Sequence, residues 1–227
     1  MSVSAQSYER YRTARNSYEW MMRVGDPRTP PVLFVPPLLE ELNRTRALIV
    51  AVMRALAVEG HSGWLPDLCG SSESLVPLGE VSWAHWQADV LMASRHVAEE
   101  SGRRPLVAAI RGGCLLDHAT EGDCRWRFAP VNGNSLARDL DRAALGGGAE
   151  WAGYHVAGAS LREALAAATP APVHELRTVR LATDGAEADA KVEGPALWRR
   201  SEPGNSADLA AALAKDIGEW RRHCAAS

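Results

Sequence analysis

The sequence is poor in the patterns that mark membrane proteins, metal-binding proteins and nucleic-acid-binding proteins. Its four cysteines (Cys69, Cys114, Cys124, Cys224) are scattered, with no Cys-x-x-Cys pair, which argues against a zinc knuckle and against a disulfide scaffold. No apolar run approaches the length of a membrane span, and residues 1–15 lack the apolar segment of a signal peptide. The net charge of -3 is unsuited to tracking phosphates. We therefore expect a reduced, cytoplasmic protein without metal, cofactor, nucleic acid or membrane span.

The composition indicates an ordinary globular domain. The 227 residues are 46% hydrophobic and 23% charged, which suits one α/β domain with a large core. Strand patterns alternate with helix patterns from residue 32 onward, which predicts a mostly parallel sheet covered by helices on both faces. We expect residues 1–15 to form a flexible N-terminal lead and residues 16–227 to form the single domain.

Hydrophobic periodicity and breaker residues place the individual elements. The residue patterns predict strands at 17–24, 32–35, 106–110, 124–128, 174–183 and 188–198. Helices are predicted at 38–59, 83–98, 134–145 and 160–168, with another beginning near Cys114 and a last one capped by Ser206. The segments 32–35 and 106–110 are apolar without alternation, so we expect them as neighbouring central strands.

The strand at 106–110 runs into an abrupt turn. Residues 109–113 read Ala-Ile-Arg-Gly-Gly. A second apolar run, whose composition is compatible with a helix, follows directly. This resembles the nucleophile elbow of α/β-hydrolases, Gly-x-Ser-x-Gly, where a strained strand-to-helix turn holds the catalytic serine. Arg111 stands in the place of that serine, and an arginine stays protonated and cannot attack a carbonyl.

A second stretch carries a more specific resemblance. Residues 36–46, Pro-Pro-Leu-Leu-Glu-Glu-Leu-Asn-Arg-Thr-Arg, resemble the Pro-Pro-Phe-x-Glu-Glu-Met-Asn-x-x-Arg signature of the hydrolases associated with the exosortase A system, type 2. Leu38 and Leu42 depart from the signature but remain apolar. Residues 67–74 are similar to the Asp-Leu-x-Gly-x-Gly-x-Ser turn of α/β-hydrolases, with Ser72 replacing a glycine. An arginine at the elbow also resembles this branch of the family.

The resemblance extends from about residue 32 to the final helix and implies an α/β-hydrolase-like fold with a reduced cap around residues 134–170. It also implies a place in the bacterial system that accompanies exopolysaccharide production and PEP-CTERM protein sorting.

The sequence lacks the residues of a serine hydrolase at their usual places, because a catalytic triad needs a serine at the elbow and a histidine late in the chain. Between His174 and His223 there is no histidine. Cys114 is a candidate nucleophile, but it lies about one helical turn beyond the elbow and is more typical of a small core residue.

Two functional classes therefore remain open. The protein is either a catalytically silent pseudo-hydrolase that binds a small-molecule ligand or a pathway protein, or an ester or thioester hydrolase with a non-standard constellation. The candidate ligand-binding residues are polar side chains near two strand ends: Glu40, Glu41, Asn43, Arg46 and Arg111. One interpretation is a solvated first helical turn with one structural ion pair. The other is that Glu40 or Glu41 pairs with Arg111 across the strand ends, binding a polar ligand or closing the former active-site cleft.

Overall fold

The computed structural model describes residues 6–143, 150–151, 154–155 and 159–226. Its main sheet has eight strands: β1 (Gln6–Arg12), β2 (Tyr18–Val24), β3 (Pro31–Val35), β4 (Ser62–Pro66), β5 (Leu106–Ile110), β6 (Cys124–Phe128), β9 (Leu176–Leu181) and β10 (Ala190–Val192). A separate hairpin pairs β7 (Glu150–Trp151) with β8 (Tyr154–His155). The strand order in the main sheet is β1-β2-β4-β3-β5-β6-β9-β10.

The main sheet is mostly parallel, as the sequence predicts. Strand β2 runs antiparallel to both of its neighbours, β1 and β4, and the other neighbouring pairs are parallel. Val32 of β3 lies beside Leu106 of β5, which confirms that the two unalternating apolar runs are adjacent strands. Both strands are buried along their whole length, which is why neither shows a period of two.

Within the described residues, five α-helices cover the two faces of the sheet: α1 (Glu40–Val58), α2 (Trp83–Ser101), α3 (Gly133–Ala143), α4 (Ala159–Ala167) and α5 (Ala207–Ala226). Successive side chains of a strand point to opposite faces. Phe34 accordingly packs in a core cluster with α1 and α5, while Val35 packs in a second cluster with α2, α3 and α4. Among the helices in the described ranges, none combines the length and the apolar composition that crossing a membrane requires.

The expectation of a flexible lead at residues 1–15 is wrong for its described part. Residues 6–12 form the edge strand β1, which pairs with β2 along its full length, from Gln6 beside Val24 to Arg12 beside Tyr18. The outward side chains are polar or aromatic, and the inward Tyr11 is fully buried. Pairing with β2 and the burial of Tyr11 stabilise a segment whose polarity alone suggested disorder.

The segment after β5 also differs from the prediction. Two short 3-10 helices, Arg111–Leu115 and Asp117–Ala119, replace the expected α-helix near Cys114, and two consecutive glycines disfavour a longer helix there. The carboxylate of Asp117 is fully buried and accepts hydrogen bonds from Nε and Nη2 of Arg127 at 2.6 and 2.8 Å. Strand β6 is therefore buried on both sides, although its alternating arginines suggested one exposed side.

The cysteines need a further correction. Cys124 at the start of β6 and Cys224 in α5 form a disulfide across 100 residues of sequence, so the expectation of reduced cysteines is wrong for this pair. Two cysteines this far apart in the chain give no spacing signal, because only the docking of α5 against β6 brings them together. Cys69 and Cys114 are free and buried.

Candidate functional site

The elbow after β5 has the backbone geometry that the motif predicts. Ile110 is still extended, with φ of -124°, and Arg111 has a left-handed φ of 51°. This reversal aims the Arg111 side chain at the carboxyl ends of the parallel strands, where α/β sheets place their ligand sites. Gly113 is required by close packing, since a Cβ there would lie 2.6 Å from the Pro36 carbonyl oxygen.

Arg111 forms a buried ion pair with Glu41, the second residue of α1. Nε and Nη2 of Arg111 donate to Oε1 of Glu41 at 2.9 and 2.7 Å. The two side chains are only 11% and 8% exposed. Nη1 of Arg111 donates to the carbonyl of Ala129 at 3.3 Å. The structure therefore selects Glu41 rather than Glu40 as the partner, because Glu40 pairs with Arg44 at 3.3 Å on the same helix.

The second oxygen of the same carboxylate binds the backbone of the elbow. Oε2 of Glu41 accepts a hydrogen bond from the N–H of Gly112 at 3.3 Å. In serine hydrolases of this fold, the N–H that follows the nucleophile forms half of the oxyanion hole. Burial is the largest influence and raises the pKa of Glu41, while Arg111 and the Gly112 N–H offset part of that increase. The ion pair with Arg111 thus places a carboxylate supplied by the chain itself in the site.

Trp198 covers the guanidinium of Arg111, a contact that the sequence does not predict. The Cζ atom of Arg111 lies 4.6 Å from the Trp198 ring centroid, a distance typical of a cation–π contact. The ring packs edge-on against Phe128 at 5.9 Å. Trp198 belongs to a 3-10 helix after β10, in the late loop where a triad would carry its histidine. The place of Trp198 in this late loop was the sequence feature that could have identified it as a site residue.

A cavity of about 520 Å³ opens in front of Arg111, and we call it the elbow cavity. Its lining combines charged side chains with an apolar wall: Glu40, Glu41, Arg44, Arg111, Leu136, Asp139, Leu140, Trp198 and Arg199. Among these described lining residues there is no serine, cysteine or histidine. The elbow cavity therefore offers donors, charges and an aromatic face, without a nucleophile or a neutral base.

The structure separates Asn43 and Arg46 from the elbow cavity. Both line a second cavity of about 540 Å³ on the side of β1 and β2. Nη1 of Arg46 donates to Oδ1 of Asp67 at 3.0 Å and to Oγ of Ser72 at 2.9 Å. Of the five candidate residues, Glu40, Glu41 and Arg111 line the elbow cavity. Asn43 and Arg46 line the second cavity, although Nδ2 of Asn43 donates a hydrogen bond to Oε2 of Glu40 at 3.2 Å.

The remaining nucleophile and base candidates do not line the elbow cavity. Cys114 is fully buried in the core, and burial raises the pKa of its thiol well above the ordinary value. The side chain of His174 is 91% exposed, and His223 stacks on Trp220 in α5. In the described ranges, no three His, Cys, Asp or Glu side chains are grouped so that they could hold a metal ion.

Three of the six described non-glycine residues with positive φ follow the central parallel strands. They lie at the carboxyl ends of β3, β5 and β6: Leu39 at 55°, Arg111 at 51° and Ala129 at 47°. Each such residue costs on the order of 1–3 kcal/mol and persists only where the surroundings impose it. Strain of this kind is often found at functional sites.

No family model and no curated protein sequence matches this chain. Among solved structures, it is similar to a malate-bound thermophilic esterase from Thermogutta terrifontis, with a TM-score of 0.60, 15% identity, and 96% of this chain and 99% of that chain covered. It is also similar to the thioesterase domain from the curacin biosynthetic pathway, with a TM-score of 0.56, 12% identity, and 95% and 98% covered. A hypothetical protein from Pseudomonas aeruginosa matches with a TM-score of 0.55, 9% identity, and 79% and 78% covered.

Coverage differs among the other matched structures. The match to the esterase Est22 has a TM-score of 0.45 and 12% identity, and it covers 57% of this chain but 45% of that esterase. This chain thus spans less than half of the length of that esterase. At these identities the likeness concerns architecture alone. Together with the mostly parallel eight-stranded sheet, the full-length matches to the thermophilic esterase and the thioesterase domain show that the chain has an α/β-hydrolase-like fold.

Proposed function

We propose that this protein is a pseudo-hydrolase, which binds a polar ligand or a partner at the elbow cavity and does not cleave esters. One observation carries the proposal: the Glu41 carboxylate bridges the Arg111 side chain and the Gly112 N–H. A serine hydrolase needs a nucleophile, a base, an orienting acid and an oxyanion hole. Here Arg111 stands in the place of the nucleophile. The Glu41 carboxylate binds the Gly112 N–H, which would be one of the donors of the oxyanion hole.

The charges around the elbow oppose hydrolysis directly. Acyl transfer builds negative charge on the oxygen of a tetrahedral intermediate, and the hole must stabilise that charge. The buried Glu41 carboxylate would lie beside it instead. Two like charges about 4 Å apart repel by about 4 kcal/mol at the effective dielectric constant of a protein surface. Trp198, in the late loop, has no lone pair to accept a proton.

The same features suit binding. The floor of the elbow cavity is the Arg111 guanidinium with the Trp198 ring, and Leu136 and Leu140 form an apolar wall. Arg199 is exposed at the rim. The volume of about 520 Å³ lies within the range of small-molecule sites. We infer a ligand that has a polar end and a short apolar portion.

The proposed biological setting is the exosortase A system, in which the ligand or partner would serve exopolysaccharide production and PEP-CTERM sorting. This part rests on the resemblance of residues 36–46 to the signature of that branch. The pairing of Glu41 with Arg111 supports it, because it links an acidic residue of the signature to the arginine at the elbow.

The test is a search for turnover. The purified protein is incubated with p-nitrophenyl acetate, p-nitrophenyl butyrate and an acyl-CoA thioester, and separately with a fluorophosphonate probe. We expect hydrolysis at the buffer rate and no labelling. Glu41→Gln serves as the matched variant, since it removes the charge and should remain inactive without a nucleophile. Labelling of a single serine that an ester competes away would instead establish the alternative, an ester or thioester hydrolase with a non-standard constellation.

A further inference from the structure

The hairpin of β1 and β2 exposes an unusual set of aromatic side chains. Three of the five exposed large hydrophobic residues in the described ranges lie on it: Tyr8 at 54%, Tyr18 at 57% and Trp20 at 40% exposure. The strand register places Trp20 opposite Arg10 and Tyr18 opposite Arg12, so the aromatic rings share one face with the side chains of β1 that point outward. Aromatic side chains of this size are normally buried, and their clustering at a surface marks a contact site.

Two of these aromatic residues border the second cavity, which we call the hairpin cavity. It measures about 540 Å³ and is lined by two aromatic and four polar side chains: Tyr8, Trp20, Asn43, Arg46, Ser72 and Glu73. One wall is therefore an aromatic platform, and the other carries an amide, a guanidinium, a hydroxyl and a carboxylate. The size suits a ligand of one or two rings.

The polar wall is held in place before any ligand arrives. Arg46 is fixed by Oδ1 of Asp67 at 3.0 Å and by Oγ of Ser72 at 2.9 Å. Ser72 has a left-handed φ of 49° at a position where the similar turn of α/β-hydrolases has a glycine. A non-glycine residue in this conformation costs free energy, and here it places a hydroxyl on the guanidinium. Fixed donors bind a ligand with less loss of conformational entropy.

The charges at the hairpin cavity favour a neutral ligand. The positive charge of Arg46 is already paired with the buried carboxylate of Asp67, and Glu73 adds an exposed negative charge to the lining. Phosphates and carboxylates are therefore disfavoured. A ligand cation is disfavoured as well, because it would be repelled by the positive charge of Arg10, whose Cζ atom lies 6.0 Å from the Trp20 ring centroid.

We propose that the hairpin cavity binds a neutral saccharide. The C–H face of a pyranose ring would pack on Trp20, and its hydroxyl groups would exchange hydrogen bonds with Asn43 and Arg46. Such a ligand combines a flat apolar face with many uncharged donors and acceptors, which matches the two walls. This site is separate from the elbow cavity and does not depend on the proposed pseudo-hydrolase function.

The test uses calorimetric and NMR titration of the full chain with cellobiose, maltose and N,N'-diacetylchitobiose. At least one of these sugars should bind, and Trp20→Ala should weaken that binding by at least about tenfold, equivalent to about 1.4 kcal/mol. Tyr18→Ala is the matched control, because Tyr18 is exposed on the same hairpin face but does not line the cavity. It should change the affinity less than about twofold. Both positions are exposed, and unchanged thermal unfolding of the variants verifies their folding.

Three results would overturn the proposal. The first is the absence of binding by all three sugars up to about 50 mM, well above the millimolar dissociation constants of weak sites. The second is equal weakening by Trp20→Ala and Tyr18→Ala, which would place the sugar elsewhere. The third is a concentration-dependent dimer that Trp20→Ala abolishes while sugar binding persists, which would assign this face to a second copy of the chain.

Discussion

Oε2 of Glu41 lies 3.3 Å from the backbone nitrogen of Gly112. This residue of α1 therefore supplies the hydrogen-bond acceptor that a substrate oxygen would supply to the elbow N–H in a hydrolase. The other oxygen of the same carboxylate receives two donors from Arg111. An arginine at the elbow needs a buried partner, and a buried glutamate needs the arginine. The two residues therefore act as one unit, and the open oxyanion hole of the fold becomes a closed polar contact.

A double-mutant cycle measures this coupling. We expect Arg111→Met and Glu41→Gln each to lower the free energy of unfolding by about 3–5 kcal/mol, because each leaves a buried group without its partner. The double variant should lose less than the sum of the singles. Urea unfolding supplies the values. Glu40→Gln is the control, since the Glu40 side chain is 31% exposed in its pair with Arg44, and it should cost about 0–1 kcal/mol. Strict additivity would contradict the coupling.

Restoring the serine alone should not restore catalysis. Arg111→Ser returns a hydroxyl to the elbow, but among the described residues that line the elbow cavity there is no histidine to accept its proton. The freed Glu41 would also keep negative charge beside the Gly112 N–H. We expect no p-nitrophenyl acetate hydrolysis above the wild-type background, for Arg111→Ser and for its combination with Glu41→Gln. Turnover in the single variant would mean that another residue serves as the base.

The ion pair could be predicted from the sequence only in part. Both Glu40 and Glu41 lie in the first turn of α1, and their difference of about 100° in direction decides which of them reaches Arg111. Glu40 instead faces Arg44, four residues further along the helix. Asn43 and Arg46, three residues apart, share a different side of the helix and border the hairpin cavity. The signature grouped these residues by sequence, whereas the helix distributes them over two cavities.

The central strands were predictable because burial on both faces leaves an unmistakable apolar run. The residues that complete the site were not, since Trp198 and Ala129 reach Arg111 only through the assembled sheet. Strand β1 was missed for a related reason. Its single inward aromatic residue, Tyr11, gives little periodicity, and its order depends on pairing with β2.

The stability should respond to the titration of Glu19. This side chain is buried and accepts a hydrogen bond from Oγ of Ser74 at 2.9 Å, and burial raises its pKa above the ordinary 4.5. The folded state therefore holds this proton more tightly than the unfolded state. The resulting stabilisation is complete below the unfolded pKa and is lost as the pH rises through the folded pKa.

Glu19→Gln removes this dependence. We expect the variant to gain stability relative to the wild type as the pH rises from about 4 to about 7, in urea unfolding curves at several pH values. Asp26→Asn is a control of opposite sign, because Arg28 lowers the pKa of Asp26. The free energy of unfolding of the wild type should increase relative to that of Asp26→Asn as the pH rises through the acidic range. A constant difference between Glu19→Gln and the wild type across the pH range would refute the assignment.

Emptying the carboxylate position should create a site for a free carboxylate. Glu41→Ala leaves the Arg111 guanidinium and the Gly112 N–H directed at a gap of the size of a carboxylate group. Acetate can fill the gap and bind the same donors, because charge-assisted hydrogen bonds to a guanidinium are among the stronger ones. A ligand of the folded state stabilises it by RT ln(1 + [L]/Kd), or about 1.4 kcal/mol at a tenfold excess over Kd.

The measurement compares the Tm in sodium acetate with the Tm in sodium chloride at equal ionic strength. The Tm of Glu41→Ala should rise in acetate, whereas the wild type should not respond, because its own carboxylate occupies the position. Glu40→Ala is the matched control, since it removes a neighbouring carboxylate that does not contact Arg111 or Gly112. Adding Arg111→Met to Glu41→Ala should abolish the effect by removing the main donor. An equal rise in all variants would reveal a general salt effect and would count against a carboxylate site at the elbow.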